Sequence, residues 1–325
     1  MQSFLDPAIL FFVFGMLAGR LKSNLDIPPQ ISRFLSLYLL MALGLKGGFA
    51  LSKSGLTADV AISLAAALGM AVVVPLLGYA LLRRFLSGFD AAAIAATYGS
   101  VSAVTFITSV QYLDTHGVAY GGHMAAAMAL MESPAIILAV LLANHARQHT
   151  KSKQAAGAAS APGPSLGHIL RESLTDGAQL LLIGAMVIGV LTGASGEAAM
   201  KPFSVDLFKG MLAFFLLDMG LLAARNMGEL KGKSAWLLVY ALLGPLVHAA
   251  IALLVGRALG MMPGDVALLM VLSASASYIA VPAVIRHAIP EANPSLYFGM
   301  SLGLTFPFNI LLGIPLYVGV AQRWA

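Results

Sequence analysis

The chain of 325 residues contains no cysteine. Disulfides, cysteine-ligated metals and cysteine nucleophiles are therefore excluded. Charge is scarce too: 10% of residues are Asp, Glu, Lys or Arg, against about 25% in a soluble domain. The common motifs of enzymatic chemistry are missing. No HExxH zinc motif, no GxxxxGK[ST] phosphate loop and no GxSxG nucleophile turn occurs. Nucleotide hydrolysis, an enzymatic role and an organic cofactor are not expected. The net charge of +5 is no nucleic-acid signal, because the basic residues fall between apolar runs.

What is abundant is apolar sequence, at 59%. A helix needs about 17–25 mainly apolar residues to cross a bilayer. Ten stretches qualify, at approximately 6–21, 29–49, 57–84, 90–112, 118–144, 174–193, 204–224, 234–259, 264–287 and 295–321. They predict an all-α polytopic membrane protein. No cationic segment precedes the first stretch, so it reads as a retained span rather than a signal peptide. Residues 148–167, rich in Ala, Gly, Ser, Pro and Lys, read as a flexible linker.

The two halves resemble each other. Phe14–Gly19 (FGMLAG) matches Ile188–Gly193 (IGVLTG), and Met41–Leu45 (MALGL) matches Leu217–Leu221 (LDMGL). Glu132–Ser133–Pro134 falls on Thr305–Phe306–Pro307, and Ser100 and Ser102 fall on Ser273 and Ser275, both at an offset of 173. An odd number of spans per half turns the second copy over, giving an inverted-topology repeat. The units expected are a first repeat at 1–147, the linker at 148–167 and a second repeat at 168–325.

The serines at the matched places organise the functional reading. Ser273, Ser275 and Ser277 alternate with alanines, followed by Tyr278 and Pro282. Hydroxyls and a proline at membrane depth suggest a helix interrupted beside a polar cavity. Spans four and nine would each break near the midplane and cross there. The second half of each then presents a helix N-terminus, worth about half a positive charge, to one volume. Two such ends suit a small monovalent oxyanion. The expected substrate-binding residues are Gly99, Ser100, Val101, Ser102 and Ala103, with Ser273, Ser275, Ser277 and Tyr278.

Ionisable groups inside spans mark function by default. Glu132, two residues before Pro134, is the candidate cation ligand, with Thr305 and Asn309 as neutral oxygen donors for sodium. Asp218 and Lys46 lie in matched spans and are expected to pair. His248 reads as a packing residue and Trp236 as an interfacial anchor. Arg286, His287 and Glu291 lie near a loop and are expected to be solvated.

Orientation follows from Lys and Arg placement. One side collects Arg20, Lys22, Arg33, Arg83, Arg84, Arg147, Lys151, Lys153, Arg171, Arg225, Lys231, Lys233 and Arg286. The other has Lys46, Lys53, Lys201, Lys209, Arg257 and Arg323. The richer side is expected in the cytoplasm, with the linker, and both termini outside a cell (inner) membrane.

Several runs resemble the SbtA family of sodium-dependent bicarbonate transporters. They are GSVS at 99–102, MESPA at 131–135, ELKGK at 229–233, GPLVHAAIAL at 244–253, IPEANPS at 289–295 and IPLYVGVAQ at 314–322. The resemblance implies a five-plus-five inverted repeat divided into core and gate domains. It also implies a homotrimer, and a cytoplasmic PII-like (SbtB-type) regulator that senses adenine nucleotides. Three departures fall at the presumed site. Tyr278 stands where the family carries an acid, the glycine-rich break of span four reads Ser102–Ala103–Val104–Thr105, and Glu132 replaces an aspartate. The expected function is sodium-coupled symport of a small inorganic anion, most naturally bicarbonate. The alternatives are a proton-coupled or uncoupled carrier of another small anion, or a transporter-like docking module for the PII-like protein.

Overall fold

The computed structural model describes residues 6–153, 177–230 and 234–324. The linker beyond residue 153, and Arg171, Lys231 and Lys233, lie outside them. The described chain is helical. Helices α1 (Pro7–Arg20), α2 (Pro29–Ser54) and α3 (Ala58–Leu82) are followed by the two short helices α4 (Gly88–Gly99) and α5 (Ala103–Thr115), then α6 (Met124–Lys153). The second half has α7 (Gly177–Lys201), α8 (Phe208–Asn226) and α9 (Ala235–Ala258), then the short pair α10 (Pro263–Ala274) and α11 (Ala280–Ala288). The last span, α12 (Pro294–Trp324), is continuous but loosened by π-helical turns at Ser301–Thr305 and Asn309–Gly313. Among the described residues seven segments are long and apolar enough to cross a membrane. Helix α6 runs six residues into the stretch read as linker.

Local chemistry sets the helix starts. Asp6 caps α1, accepting from the Ala8 N–H at 2.8 Å, with Pro7 at the first helical position. Ser87 caps α4 through the Asp90 N–H, and Asn293 caps α12 ahead of Pro294. A cap satisfies one of the amides that the first turn leaves open, and proline there has no N–H to lose.

Glycine sets the helix pairing. α1 lies along α8, and α2 along α7. A Cβ on Gly15 would sit 2.2 Å from the Leu217 carbonyl oxygen, and one on Gly220 2.2 Å from that of Phe12. On the other pair a Cβ on Gly48 would sit 2.2 Å from the Met186 carbonyl oxygen, and one on Gly189 2.7 Å from that of Leu45. Backbones this close exclude any side chain, which is how helices pack where lipid supplies no hydrophobic drive. The outer faces of α1 and α7 carry exposed Phe11, Phe14, Leu17, Val187, Ile188 and Leu191, as lipid-facing surfaces do.

α3 packs on α4 and α6, and α9 packs on α10. The short helices α4 and α10 are the most enclosed elements of the molecule: every residue from Ala91 to Gly99 and from Gly264 to Ala274 is buried.

Candidate functional site

Each short-helix pair is interrupted by a stretch of extended backbone. α4 stops because Ser100 and Ser102 turn extended, at φ −89°, ψ −174° and φ −101°, ψ 110°. Gly99 must be glycine, since a Cβ would lie 2.6 Å from the ring of Pro75. Ser102 then caps α5, its Oγ accepting from the Thr105 N–H at 3.2 Å and the Thr105 hydroxyl at 3.0 Å. In the second half α10 stops at Ala274, Ser275 is extended, and α11 begins at Ala280. The Ser277 Oγ accepts from the Val281 N–H at 3.3 Å. Pro282 falls in the first turn of α11, so the break precedes the proline instead of lying at it.

The breaks touch. The Ser102 N–H donates to the Ser275 Oγ at 3.0 Å, and the Ser277 N–H donates to the Thr97 carbonyl at 2.8 Å.

A cavity of about 240 Å³ opens where α5 and α11 begin. Val101, Ser102, Ala103 and Val104 line it from one break, and Ser277, Tyr278 and Ile279 from the other. Ser36 and Leu40 of α2, Glu132 of α6 and Gln179 of α7 complete the polar and apolar walls. The Gln179 amide donates to the Glu132 carboxylate. The Tyr278 ring packs on Phe306 at 5.1 Å, and its hydroxyl reaches the Met219 sulfur at 3.6 Å.

Counting amides shows what a ligand would meet. The N–H groups of Ser102, Thr105, Ser277 and Val281 already have oxygen partners. Those of Ala103 and Val104 on one side, and of Tyr278, Ile279 and Ala280 on the other, precede the first intrahelical bonds. Two partly positive helix ends thus border one small volume beside a single carboxylate.

Other residues singled out in the sequence lie elsewhere. Gly99, Ser100, Ser273 and Ser275 do not line the cavity. They end the first halves, where the backbone turns carbonyl groups to the break. The hydroxyls of Ser100 and Ser273, matched residues, are both buried without a hydrogen-bond partner among the described residues. Thr305 and Asn309 also stand away from Glu132. Thr305 donates to the Ala241 carbonyl at 2.7 Å and accepts from the Tyr98 hydroxyl at 2.6 Å. Asn309 donates to the Ala274 carbonyl at 2.8 Å and accepts from the Tyr317 hydroxyl at 3.0 Å. The Thr305 hydroxyl ties α12 to α9 and α4, and the Asn309 amide nitrogen ties it to α10 while the Asn309 oxygen is held by Tyr317 within α12, so neither side chain lines the cavity with Glu132.

One pairing and one solvated residue are corrected. Lys46 bonds Asp114 at 2.7 Å and lies over the Phe208 ring, not beside Asp218. Asp218 is buried and interacts with Ser32 instead. Glu291 is not simply solvated: the Arg147 guanidinium grips both its oxygens at 2.8 Å and the Ala288 carbonyl at 2.9 Å. This pair holds the Glu291 carboxyl below its usual range. Trp236 is exposed and stacks on Phe85 at 5.7 Å, as an interfacial ring would. Sequence reading missed Gln179. It is a neutral residue at the very start of a span, and nothing in its neighbourhood points to Glu132, 47 positions away.

The sequence model of the Na+-dependent bicarbonate transporter superfamily matches residues 7–322, nearly the whole chain. The chain belongs to this superfamily. No curated protein matches it. The matched region takes in both breaks, Glu132 and Gln179, so the family assignment and the cavity concern the same residues. It also makes the chain a multi-pass membrane protein of a transporter family, in keeping with its apolar helices.

Proposed function

We propose that the chain is a secondary active transporter that carries a small inorganic anion, bicarbonate, into the cell together with sodium. One observation carries the reading: the starts of α5 and α11 and the Glu132 carboxylate border one cavity. The helix ends favour an anion through backbone N–H groups, with no lysine or arginine among the described residues of the wall. The Glu132 carboxylate favours a cation. Among the described residues no three His, Asp or Glu side chains converge. Sodium would therefore be held by Glu132 and neutral oxygens, with the Gln179 side chain orienting the carboxylate.

The ten-span inverted repeat is part of this proposal. Exchanging the halves turns the α1–α8 pair into the α7–α2 pair and the α3–α4 pair into the α9–α10 pair, and all four are real packings. In this scheme α1, α2, α7 and α8 form the gate and the other helices the core, with the cavity between them. Orientation is supported by ion pairing. Arg147–Glu291 and Arg225–Asp26 join residues of the cation-rich side, and Lys46–Asp114 and Lys53–Glu197 join residues of the other. The cavity then opens toward the cytoplasm of an inner-membrane protein. The homotrimer and the PII-like regulator rest on the family resemblance alone.

Uptake of radiolabelled bicarbonate by proteoliposomes, with and without an inward sodium gradient, tests the proposal. Gradient-driven accumulation is expected. Equal uptake with choline in place of sodium would end sodium coupling and favour a proton-coupled carrier.

A further inference from the structure

The cavity at the breaks has a counterpart. A second cavity, of about 440 Å³, opens among the start of α1, the end of α5, the start of α8 and the later part of α12. Three matched pairs of positions line the two cavities: Ser36 with Leu212, Leu182 with Ala8, and Val284 with Gln111. Their offsets lie between 173 and 176, as in the sequence repeat. The second cavity is therefore the first one seen from the opposite face.

The two differ in depth. The first cavity takes in Val101 and Ser102 in the break and the start of α5, whereas the second extends along α5 no closer than Thr108. Aromatic rings fill the interval. Phe12, one turn along α1 from Ala8, meets Phe306 edge-on at 5.5 Å. Phe306, one turn before Ile310, meets Tyr278 at 5.1 Å, and Tyr278 lines the first cavity. All three rings are buried. At the matching positions of the other half the sequence has Met186, Ser133 and Thr105. Aromatic bulk thus stands on one side of the axis only, which is the side where the cavity stops short.

We propose that the second cavity is the outer approach of a small hydrated anion to the site, and that Phe12, Phe306 and Tyr278 form the barrier closing it in this conformation. This rests on the transport and orientation readings above. Thr108, Gln111, His116 and Lys209 on its wall give a hydroxyl, an amide, an imidazole and a cation, groups that can donate hydrogen bonds to an anion, while the Asp6 carboxylate at the rim caps α1. Phe12 belongs to the α1–α8 pair, while Phe306 and Tyr278 belong to the opposite packing group. A small slide of one group past the other parts the rings, so the barrier needs no unfolding to open. A third cavity on the same face, beside Lys46 and Lys53, is the rival entry, but both lysines are already paired, with Asp114 and Glu197.

The chain's lack of cysteine makes the test direct. Single cysteines are placed at Gln111 in the outer cavity, Ala129 in the inner cavity and Ala50 in the rival one. Right-side-out vesicles are treated with a membrane-impermeant methanethiosulfonate. The cysteine of Q111C should react from outside, and its reaction should block bicarbonate uptake. The cysteine of A129C should be protected from outside. Adding Phe306→Ala, or Phe12→Ala if the first fails to fold, should speed its external reaction about tenfold, as loss of ring contacts favouring one conformation would. Phe306→Leu, which keeps most of the bulk but not the ring, should speed it less. The proposal fails if modified Q111C transports normally. It fails equally if A129C reactivity is unchanged by either alanine in monodisperse protein, or if A50C is the position whose modification stops uptake. Labelling needs no transport. If the unmodified chain takes up no bicarbonate, the transport reading falls while the labelling still decides the barrier.

Discussion

The backbone N–H of Ser102 donates to the Oγ of Ser275 over 3.0 Å, and these residues are 173 positions apart, the offset at which the two halves match. A residue can touch its own counterpart only near the axis that relates the copies. On the inverted-repeat reading proposed above, the contact would put both breaks on that axis; the bond itself brings the starts of α5 and α11 side by side. The bond also consumes one amide of the proposed anion site. The Ser275 hydroxyl is in turn anchored to the Leu272 carbonyl at 2.9 Å.

Truncating either serine should loosen this crossing without abolishing it. Ser102→Ala removes the cap of α5 and should cost about 1 kcal/mol. Ser275→Ala leaves the Ser102 N–H without its acceptor, a loss of similar size. The expected result is a raised apparent KM for bicarbonate with kcat largely kept, because backbone amides do most of the binding. Ser102→Leu, which projects a side chain into the cavity, should abolish uptake in protein that still elutes as a single species. Normal uptake by folded S102L would move the site away from the breaks.

Glycine pairing yields a stability prediction. Gly15→Val puts a branched side chain where a Cβ alone lies 2.2 Å from the Leu217 carbonyl oxygen. Separation of α1 from α8 should follow, at a cost of roughly 1–3 kcal/mol or more. Gly184→Ala is the contrast: nothing lies within 4 Å of its Cβ, so the melting temperature in detergent should hold or rise. Equal melting of G15V and the parent would contradict the close pairing.

The Arg147–Glu291 clamp should make stability depend on acid pH. The Glu291 carboxyl is held below its ordinary value first by hydrogen bonding to Arg147. A group depressed in the folded state binds its proton more readily when unfolded. Its contribution is therefore complete above the ordinary glutamate range and is lost as pH falls through the depressed folded value. The side chain is 38% exposed, so solvent screening keeps the effect small. Glu291→Gln should lower the melting temperature near neutrality and flatten its fall into acid. An unchanged acid profile in E291Q would assign that dependence to other carboxylates.

Much of this architecture is legible in the sequence because membrane depth leaves few options. Long apolar runs must be helices, and helices ended by Ser100 and Ser275 need a polar or crossing partner. The repeat offset locates both breaks within a few residues. What a one-dimensional reading cannot supply is the direction in which a broken helix faces. Ser100 and Ser273 look equivalent to Ser102 and Ser277 in sequence, yet they end the first halves while the others lie at the restarts. Thr305 likewise matches Glu132 in the repeat but spends its hydroxyl on Ala241 and Tyr98. Repeat equivalence places residues on equivalent helices and leaves their partners free to diverge. The rings of Phe12, Phe306 and Tyr278 are such a divergence.

In the proposed mechanism, sodium coupling depends on Glu132. Among the described residues it is the carboxylate that lines the cavity, and an ionisable group at membrane depth is costly enough to mark function by default. Gln179 reaches it from α7, across the interface between the two packing groups, so occupancy of the carboxylate is tied to the position of α7 relative to α6. Glu132→Gln keeps the shape and removes the charge. Sodium-stimulated uptake should fall at least about tenfold, as expected for losing a charged partner, while the melting temperature stays close to that of the parent. Gln179→Ala keeps the charge and removes the contact, and it should weaken sodium dependence less. If E132Q retains full sodium stimulation, the carboxylate does not bind the coupling ion, and the buried serine hydroxyls behind the breaks become the next oxygens to test.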